Sequence, residues 1–412
     1  MKTLSELSRS CGIRVPRNLN GNDAAPEKTD GRLLARGDLE RTLRENNVTG
    51  EKAAALFQAL KEIEENADLL LYSEALRDRA PLGLMTADSD EYETPVPSCL
   101  HGFARDAYAF LYALSCVPVG MAELKKRGVP EEYYLDIPAR VIREHLRQYV
   151  QTGDITFSDY PWDMNFYCCA IVFLKRFYFI PCRCEYPNVF VNRRTGETLA
   201  LWPGKSRVRP DGQLDGVNGV YDPEAFETDF VQTKDAWTGF PVHPSGVVLN
   251  QRLTLSKEDW ASALKTGDLT IALHIPGGEG YTPENVRASM LEAVAYYRRY
   301  FPDVLFQGFW SESWLYDPGL AKLLPQTSRI VSVQRQFYNY PTMEGDAQAK
   351  LEVFGDSKAD ISRIEPRTRL ERGLIDTWRA GGRFHTTGMF VLTRDAEHMG
   401  DSPYLTAFAQ RE

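Results

Sequence analysis

Between residues 31 and 160 the apolar residues recur three and four apart, the spacing of helices with one buried face. Leu33, Leu34, Leu39 and Leu43 precede Val48-Thr49-Gly50, and AAALFQALKEIEENADLLLYSEALRD continues the pattern. An acidic, proline-containing connector at residues 79–98 separates this block from a second one near Leu100. There HGFARDAYAFLYALSCV, GMAELKKRGVP and LDIPARVIREHLRQYVQTGD carry the same spacing. Residues 1–30 are polar and rich in Asn, Asp and Pro, which predicts a loose arm. The chain therefore divides into an arm (1–30), a helical domain (31–160) and a second domain (161–412).

Past Pro161 the pattern shifts. DMNFYCCAIVFLKRF is still compatible with helix, but FYFIPCRCEYPNVFVNRRTGETLAL is aromatic, β-branched and broken by Pro and Thr-Gly, as strands and hairpins are. Asp-Gly and Asn-Gly turns follow in KSRVRPDGQLDGVNGVYDPEAFE. Next comes VHPSGVVLNQRLTLSKEDWASALKTGD, read as a strand, Ser256 as an N-cap and a short helix. The centre of the domain is Leu269–Phe337. Leu269, Ile271, Leu273 and Ile275 alternate with Thr270, Ala272 and His274, which predicts a buried strand. A turn containing Gly277, Gly278 and Gly280 leads into PENVRASMLEAVAYYRRYF, with Thr282 as N-cap and Pro283 at the first helical position. A second strand, LFQGFWSESWLYD, a short helix, PGLAKLLP, and a third strand, RIVSVQRQFY, complete the run. A helix, RLERGLIDTWRAGG, and a final strand, RFHTTGMFVLT, lie nearer the C-terminus.

Composition narrows the classes. At 43% hydrophobic and 11% aromatic, the 412 residues can fill two cores. A net charge of -9 and no Lys/Arg-rich run argue against nucleic acid as partner. The N-terminus has no apolar segment of signal-peptide type, and no apolar run approaches the ~20 residues that span a bilayer. A cytoplasmic protein without a membrane partner is the expectation. Seven cysteines, including Cys168-Cys169 and Cys182-x-Cys184, show neither a disulfide framework nor zinc spacing. No other metal-ligand spacing occurs, so no metal is expected.

Three features carry candidate chemistry. The turn at Gly277, Gly278 and Gly280 opens onto a helix N-terminus, where amide donors and the helix dipole favour an anion. An ordinary strand-to-helix turn has the same composition. His274 stands at the carboxyl end of its strand, where open α/β sheets place ligands, and a neutral imidazole there accepts a proton. A hydrogen-bonded structural histidine is the plainer alternative. Glu312 lies between Trp310 and Trp314, whose indoles would desolvate a carboxylate and raise its pKa towards that of a useful base. Alternation sets Trp310, Glu312 and Trp314 on one face and Phe309, Ser311, Ser313 and Leu315 on the other. The plainer alternative for Glu312 is a solvent-facing carboxylate.

His274-Ile275-Pro276-Gly277-Gly278, Thr282-Pro283-Glu284, Ser313-Trp314-Leu315-Tyr316-Asp317-Pro318, Leu320–Pro325 and Val333–Phe337 together carry a family resemblance. The chain resembles bacterial acyltransferase-like proteins that join an N-acyltransferase N-terminal domain to a GNAT-like C-terminal domain. The resemblance is best over Pro161–Phe337, with Gly239-Phe240-Pro241 and Trp260 adding to it. It implies an α/β (α+β) fold: a helical domain, then a mixed, largely antiparallel sheet flanked by helices. It also implies acyl-CoA, acetyl-CoA above all, as co-substrate, held between two splayed parallel strands. The implied acceptor is an amine of a small molecule or peptide. Glu312 or His274 would be the base, and Tyr316 the group returning a proton to sulfur. Ile275, Gly277, Gly278, Gly280, Tyr281, Thr282, Ser311 and Ser313 would hold the co-substrate. The turn departs from the Arg/Gln-x-x-Gly-x-Gly/Ala loop of well-characterised GNAT enzymes, and Glu279 sets a carboxylate in it. Two rivals remain: a GNAT scaffold that binds without catalysis, and a glycosidase-like barrel using Glu312. Asp317, ahead of Pro318, reads as a helix cap.

Overall fold

The computed structural model describes residues 2–14, 23–24, 30–88, 93–185 and 187–410. The rest of the expected arm (15–22 and 25–29) and residues 89–92 of the connector lie outside the described residues. The chain forms two compact units, residues 1–173 and 174–412.

The first unit is helical: α1 (Leu4–Cys11), α2 (Arg36–Glu45), α3 (Gly50–Glu65), α4 (Ala67–Arg77), α5 (Ala80–Met85), α6 (Gly102–Lys126), α7 (Ile137–Thr152) and α8 (Tyr160–Tyr167). α1 stands where a loose arm was expected. Thr3 and Glu6 make a reciprocal capping box, and Leu4 and Leu7 are fully buried, so a short polar segment is ordered by its cap and its apolar face. The connector likewise contains α5. α6 runs unbroken through Pro118, joining two segments that the sequence had suggested to be separate. It is long and apolar enough to cross a membrane, unlike any run expected from the sequence, yet 67% of its apolar window is buried inside the protein. A Cβ at Gly120 would meet the Cys168 carbonyl oxygen at 2.3 Å, so glycine permits α6 to pass this close to the chain after α8.

The second unit is built on a mixed sheet. Its strands are β1 (Val172–Leu174, across the division), β2 (Phe177–Arg183), β3 (Leu269–His274), β4 (Gly308–Ser313), β5 (Tyr338–Pro341) and β6 (Thr387–Leu392). Their order is β1-β2-β3-β4-β6-β5. β3 and β4 are parallel, and the β2–β3, β4–β6 and β5–β6 pairs are antiparallel. Helix α9 (Pro283–Tyr300) makes the β3–β4 crossover, and α10 (Pro318–Leu323) and α11 (Arg329–Gln334) lie between β4 and β5. An open six-stranded sheet removes the barrel alternative. A separate five-stranded antiparallel sheet buries Phe190, Leu199, Leu201 and Trp260.

Two local expectations are corrected. The segment read as the strand RIVSVQRQFY is α11 followed by β5. The Ser328 side chain accepts from the Val331 amide, and Val331 and Val333 are both fully buried, so capping and packing override β-branched propensity. The segment read as a Ser256-capped helix is a second strand, Trp260–Leu264, following the strand Leu253–Ser256. Trp260 and Leu264 are both buried, a spacing of four that reads as one helical face, whereas in the strand the register shifts between Ser262 and Leu264.

Candidate active site

The β3–β4 pairing is short. Ile271 pairs with Phe309 and Ala272 with Trp310, and there the ladder stops. β3 continues beside β2 as far as His274–Tyr178, and β4 beside β6 as far as Ser313–Thr387. The two parallel strands therefore part at their carboxyl ends while each keeps its outer neighbour. The burial of β4 alternates: Phe309, Ser311 and Ser313 are buried, Trp310 and Glu312 half-buried. Tyr297 of α9 packs on Phe306, which packs on Phe309, so α9 covers the face of Phe309 and Ser311.

The glycine turn sits at the end of β3. Arg176, between β1 and β2, reaches across it: Nε donates to the Glu279 carbonyl at 2.5 Å, and Nη2 to those of Pro276 at 2.8 Å, Gly278 at 3.1 Å and Gly277 at 3.4 Å. Asn285 Nδ2 takes the Gly280 carbonyl at 2.9 Å. With the carbonyls held, the amides of Gly277, Gly278, Glu279, Gly280 and Tyr281 donate to no protein acceptor among the described residues. Gly278 and Gly280 have φ of +101° and +93°, which only glycine adopts cheaply. Thr282 caps α9 by accepting from the Asn285 amide, and Pro283 occupies its first turn. The Glu279 side chain is exposed, which spares the turn a buried negative charge. A row of donors, a helix N-terminus and the Arg176 cation make an anion cradle.

Continuing the β3–β4 register one pleat beyond Ala272 and Trp310 brings His274 level with Glu312 across the opening, on the face away from α9. The same row runs on through Gly388 of β6 to Tyr340 of β5. Burial, followed by repulsion from Glu185 and Glu344, pushes the Glu312 carboxyl up to about 7. Burial pulls His274 down to about 4, so its imidazole is neutral at pH 7. Tyr340 is fully buried and accepts a hydrogen bond from Trp310 Nε1 at 2.5 Å. Its ring crosses Gly388, where a Cβ would lie 2.2 Å from it. Gly388→Ala is expected to cost about 1–3 kcal/mol through overpacking, read as a lower urea midpoint, because fully buried Tyr340 has no room to retreat.

On the α9 face, the Tyr316 hydroxyl donates to Ser311 Oγ at 3.1 Å. Tyr316 is fully buried, and burial raises its phenol further above the ordinary range. The buried Tyr281 hydroxyl lies beside it, and burial with the neighbouring Tyr316 phenol raises its pKa well above the ordinary range. Ser313 accepts from the Leu315 amide and is used as a local cap. Trp314 has left the strand for a one-turn helix, so it does not share the Glu312 face as the alternation suggested. Asp317 caps α10 by accepting from the Gly319 amide, as its place before Pro318 indicated. Ile275 is half-buried at the start of the turn. The structure thus gathers Ile275, Gly277, Gly278, Gly280, Tyr281 and Thr282 at the turn, His274 and Glu312 on one face of the sheet, and Ser311 and Tyr316 on the other.

Arg176, Tyr340 and Gly388 were not found in the sequence. Arg176 lies 100 residues from the turn that it holds. No local spacing marks such a contact.

Residues 37–169 match the family model of the N-acyltransferase N-terminal domain, and residues 220–390 that of the GNAT-like C-terminal domain. Three solved structures share the fold. One is an acyltransferase in complex with decanoyl-CoA and teicoplanin: TM-score 0.53, 15% identity, over 95% of this chain and 100% of that one. A second is an acyltransferase with CoA and 10C-teicoplanin: TM-score 0.54, 14% identity, over 95% and 100%. A third is an acyltransferase with decanoyl-CoA: TM-score 0.53, 15% identity, over 95% and 99%. No curated protein matches.

Proposed function

We propose that this chain, which belongs to the N-acyltransferase N-terminal domain family over residues 37–169 and the GNAT-like C-terminal domain family over residues 220–390, transfers an acyl group from acyl-CoA to an amine. The observation that carries the proposal is the parting of β3 and β4 directly above the donor-rich turn. The pyrophosphate of CoA is an anion suited to the free amides of Gly277–Tyr281 and the N-terminus of α9. An extended amide-bearing arm suits the opening, because strand edges there can pair with it as with another strand.

The amine nitrogen attacks the thioester carbonyl carbon. The N–C bond forms, the C–S bond breaks, and the proton lost by the amine ends on the CoA thiol. Glu312 and His274 stand level on the acceptor side, and their pKa values separate their roles. A base near pH 7 is both available and basic enough, whereas a base near 4 is fully unprotonated but a poor proton acceptor. Glu312 takes the proton, and His274 serves as a neutral hydrogen-bonding partner. Backbone amides at the end of β3 polarise the carbonyl. Tyr316, sealed in the interior, supports Ser311, while half-buried Tyr281, at the end of the glycine turn, is the better placed phenol to meet the co-substrate.

The relatives in fold hold medium-length acyl chains and a glycopeptide, which favours a peptide-like amine and donors longer than acetyl. Calorimetric titration with acetyl-CoA and decanoyl-CoA tests the reading: micromolar binding of at least one is expected. Neither binding at high micromolar concentration would sink it. Binding without turnover of any amine would instead support a scaffold that binds and does not catalyse.

A further inference from the structure

The second unit contains a cavity of about 480 Å³ that shares no lining residue with β3, β4 or the glycine turn. Three cations from three elements reach it: Lys322 of α10, Arg335 at the end of α11, and Arg383 ahead of β6. All three are exposed, and none faces a carboxylate within ion-pair distance among the described residues. Arg335 Nη1 donates only to Gln326 Oε1 at 3.3 Å, and Arg383 Nη1 only to the adjacent Gly382 carbonyl at 2.8 Å, so both guanidiniums keep donors in reserve. In a chain of net charge -9, such a gathering runs against the average surface.

The interior is polar and incompletely satisfied. Asn339 lines the cavity and is 0% exposed. Its Nδ2 donates to the Pro244 and Gln334 carbonyls at 2.9 and 3.0 Å, which fixes the amide, while its Oδ1 accepts from nothing. A buried amide oxygen without a donor is costly and calls for one from outside. Asp317 cannot supply it. Its Oδ2 accepts from the His385 amide at 2.6 Å and faces His385 Nδ1 at 3.1 Å, and its Oδ1 is taken by the Gly319 amide. The His385 ring is thereby held with Nε2 3.5 Å from Nη2 of buried Arg209. Arg209 pairs with Asp211 at 3.2 Å, and its Nε also lacks an acceptor. Asp211 is the one lining carboxylate besides Asp317, and Arg209 neutralises it.

We propose that this cavity is a binding site for a small hydroxylated anion, with the phosphate or carboxylate at Lys322, Arg335 and Arg383 and a hydroxyl donating to Asn339 Oδ1. A cavity of this size suits a ligand of sugar-phosphate or hydroxycarboxylate dimensions.

The experiment is calorimetry on the full chain with a hexose 6-phosphate, citrate, inorganic phosphate and the free hexose. A hydroxylated anion binds, and inorganic phosphate and the free hexose bind more weakly. The first two probes distinguish phosphate from carboxylate as the anionic group. Lys322→Ala/Arg335→Ala/Arg383→Ala, altered only at exposed positions, weakens that binding by about tenfold or more and leaves acyl-CoA binding unchanged. Arg176→Met, which disables the glycine turn, leaves it intact and so separates this site from the acyltransferase cleft. Three results would overturn the proposal: no hydroxylated anion binding at millimolar concentration, inorganic phosphate binding as tightly as both of them, or a triple variant with undiminished affinity. In those cases Asn339 Oδ1 and Arg209 Nε are served by water.

Discussion

Arg176→Met raises the dissociation constant for acyl-CoA by roughly 30- to 1,000-fold, the equivalent of about 2–4 kcal/mol. The magnitude follows from what the guanidinium does. It holds the carbonyls of Pro276, Gly277, Gly278 and Glu279 from one side, which leaves the amides of the same turn free on the other. Methionine keeps much of the side chain's bulk and none of its donors. The released carbonyls then compete for the space of the anion, and the turn loses a nearby positive charge. Arg176→Lys, a point charge without the planar fork, restores charge but not the multiple contacts, so it recovers only part of the affinity. Titration calorimetry of the three proteins decides the matter. Unchanged affinity in the methionine variant would leave the turn as an ordinary connection.

Glu312→Gln lowers kcat by roughly 100- to 10,000-fold, the range for losing a general base, while acyl-CoA binding stays within about twofold because glutamine keeps the shape. The pH dependence supplies the sharper signature. With the carboxyl pushed up to about 7 from an ordinary 4.5, the base is ionised only above neutrality, so kcat/KM rises through about pH 7. Stability runs the other way. Between pH 4.5 and 7 the folded chain holds a proton that the unfolded chain has lost, so the contribution of Glu312 to stability is greatest below that window and falls as pH rises through it. Glu312→Gln removes both slopes. Urea midpoints at pH 5 and 8, with the pH–rate profile, measure them, and a variant that keeps the rate and its rise through pH 7 would remove Glu312 from the role of base.

The sequence carried most of the cleft because its signals are local. Alternation in Leu269–His274, the glycines, and Thr282-Pro283 ahead of α9 are each explained by neighbours a few residues away, and each lies where expected. The capping role of Asp317 was legible for the same reason. The misread segments show where local signals fail. Ile330, Val331 and Val333 favour a strand in isolation, yet the Ser328 cap and burial against the unit set them in α11. The spacing of Trp260 and Leu264 reads as one helical face, and only the pairing with Asn188–Asn192, about 70 residues upstream, makes the segment a strand. Arg176 over the turn and the Tyr340 ring over Gly388 belong to that second kind. They are contacts between distant segments, and alternation or capping leaves no trace of them.

The early end of the β3–β4 ladder has a mechanical meaning as well. The sheet is two three-stranded leaves, β1-β2-β3 and β4-β6-β5, stitched together at Ile271–Phe309 and Ala272–Trp310. Everything beyond the stitch is a seam. A co-substrate lying in the seam bridges the leaves as a missing strand would, so its binding tightens the fold along a line that runs the width of the domain. Of the amides along Leu273–His274 and Ser311–Ser313, those that point into the seam should then exchange with solvent far more slowly in the complex than in the free protein, while those bonded to the outer strands stay as they were.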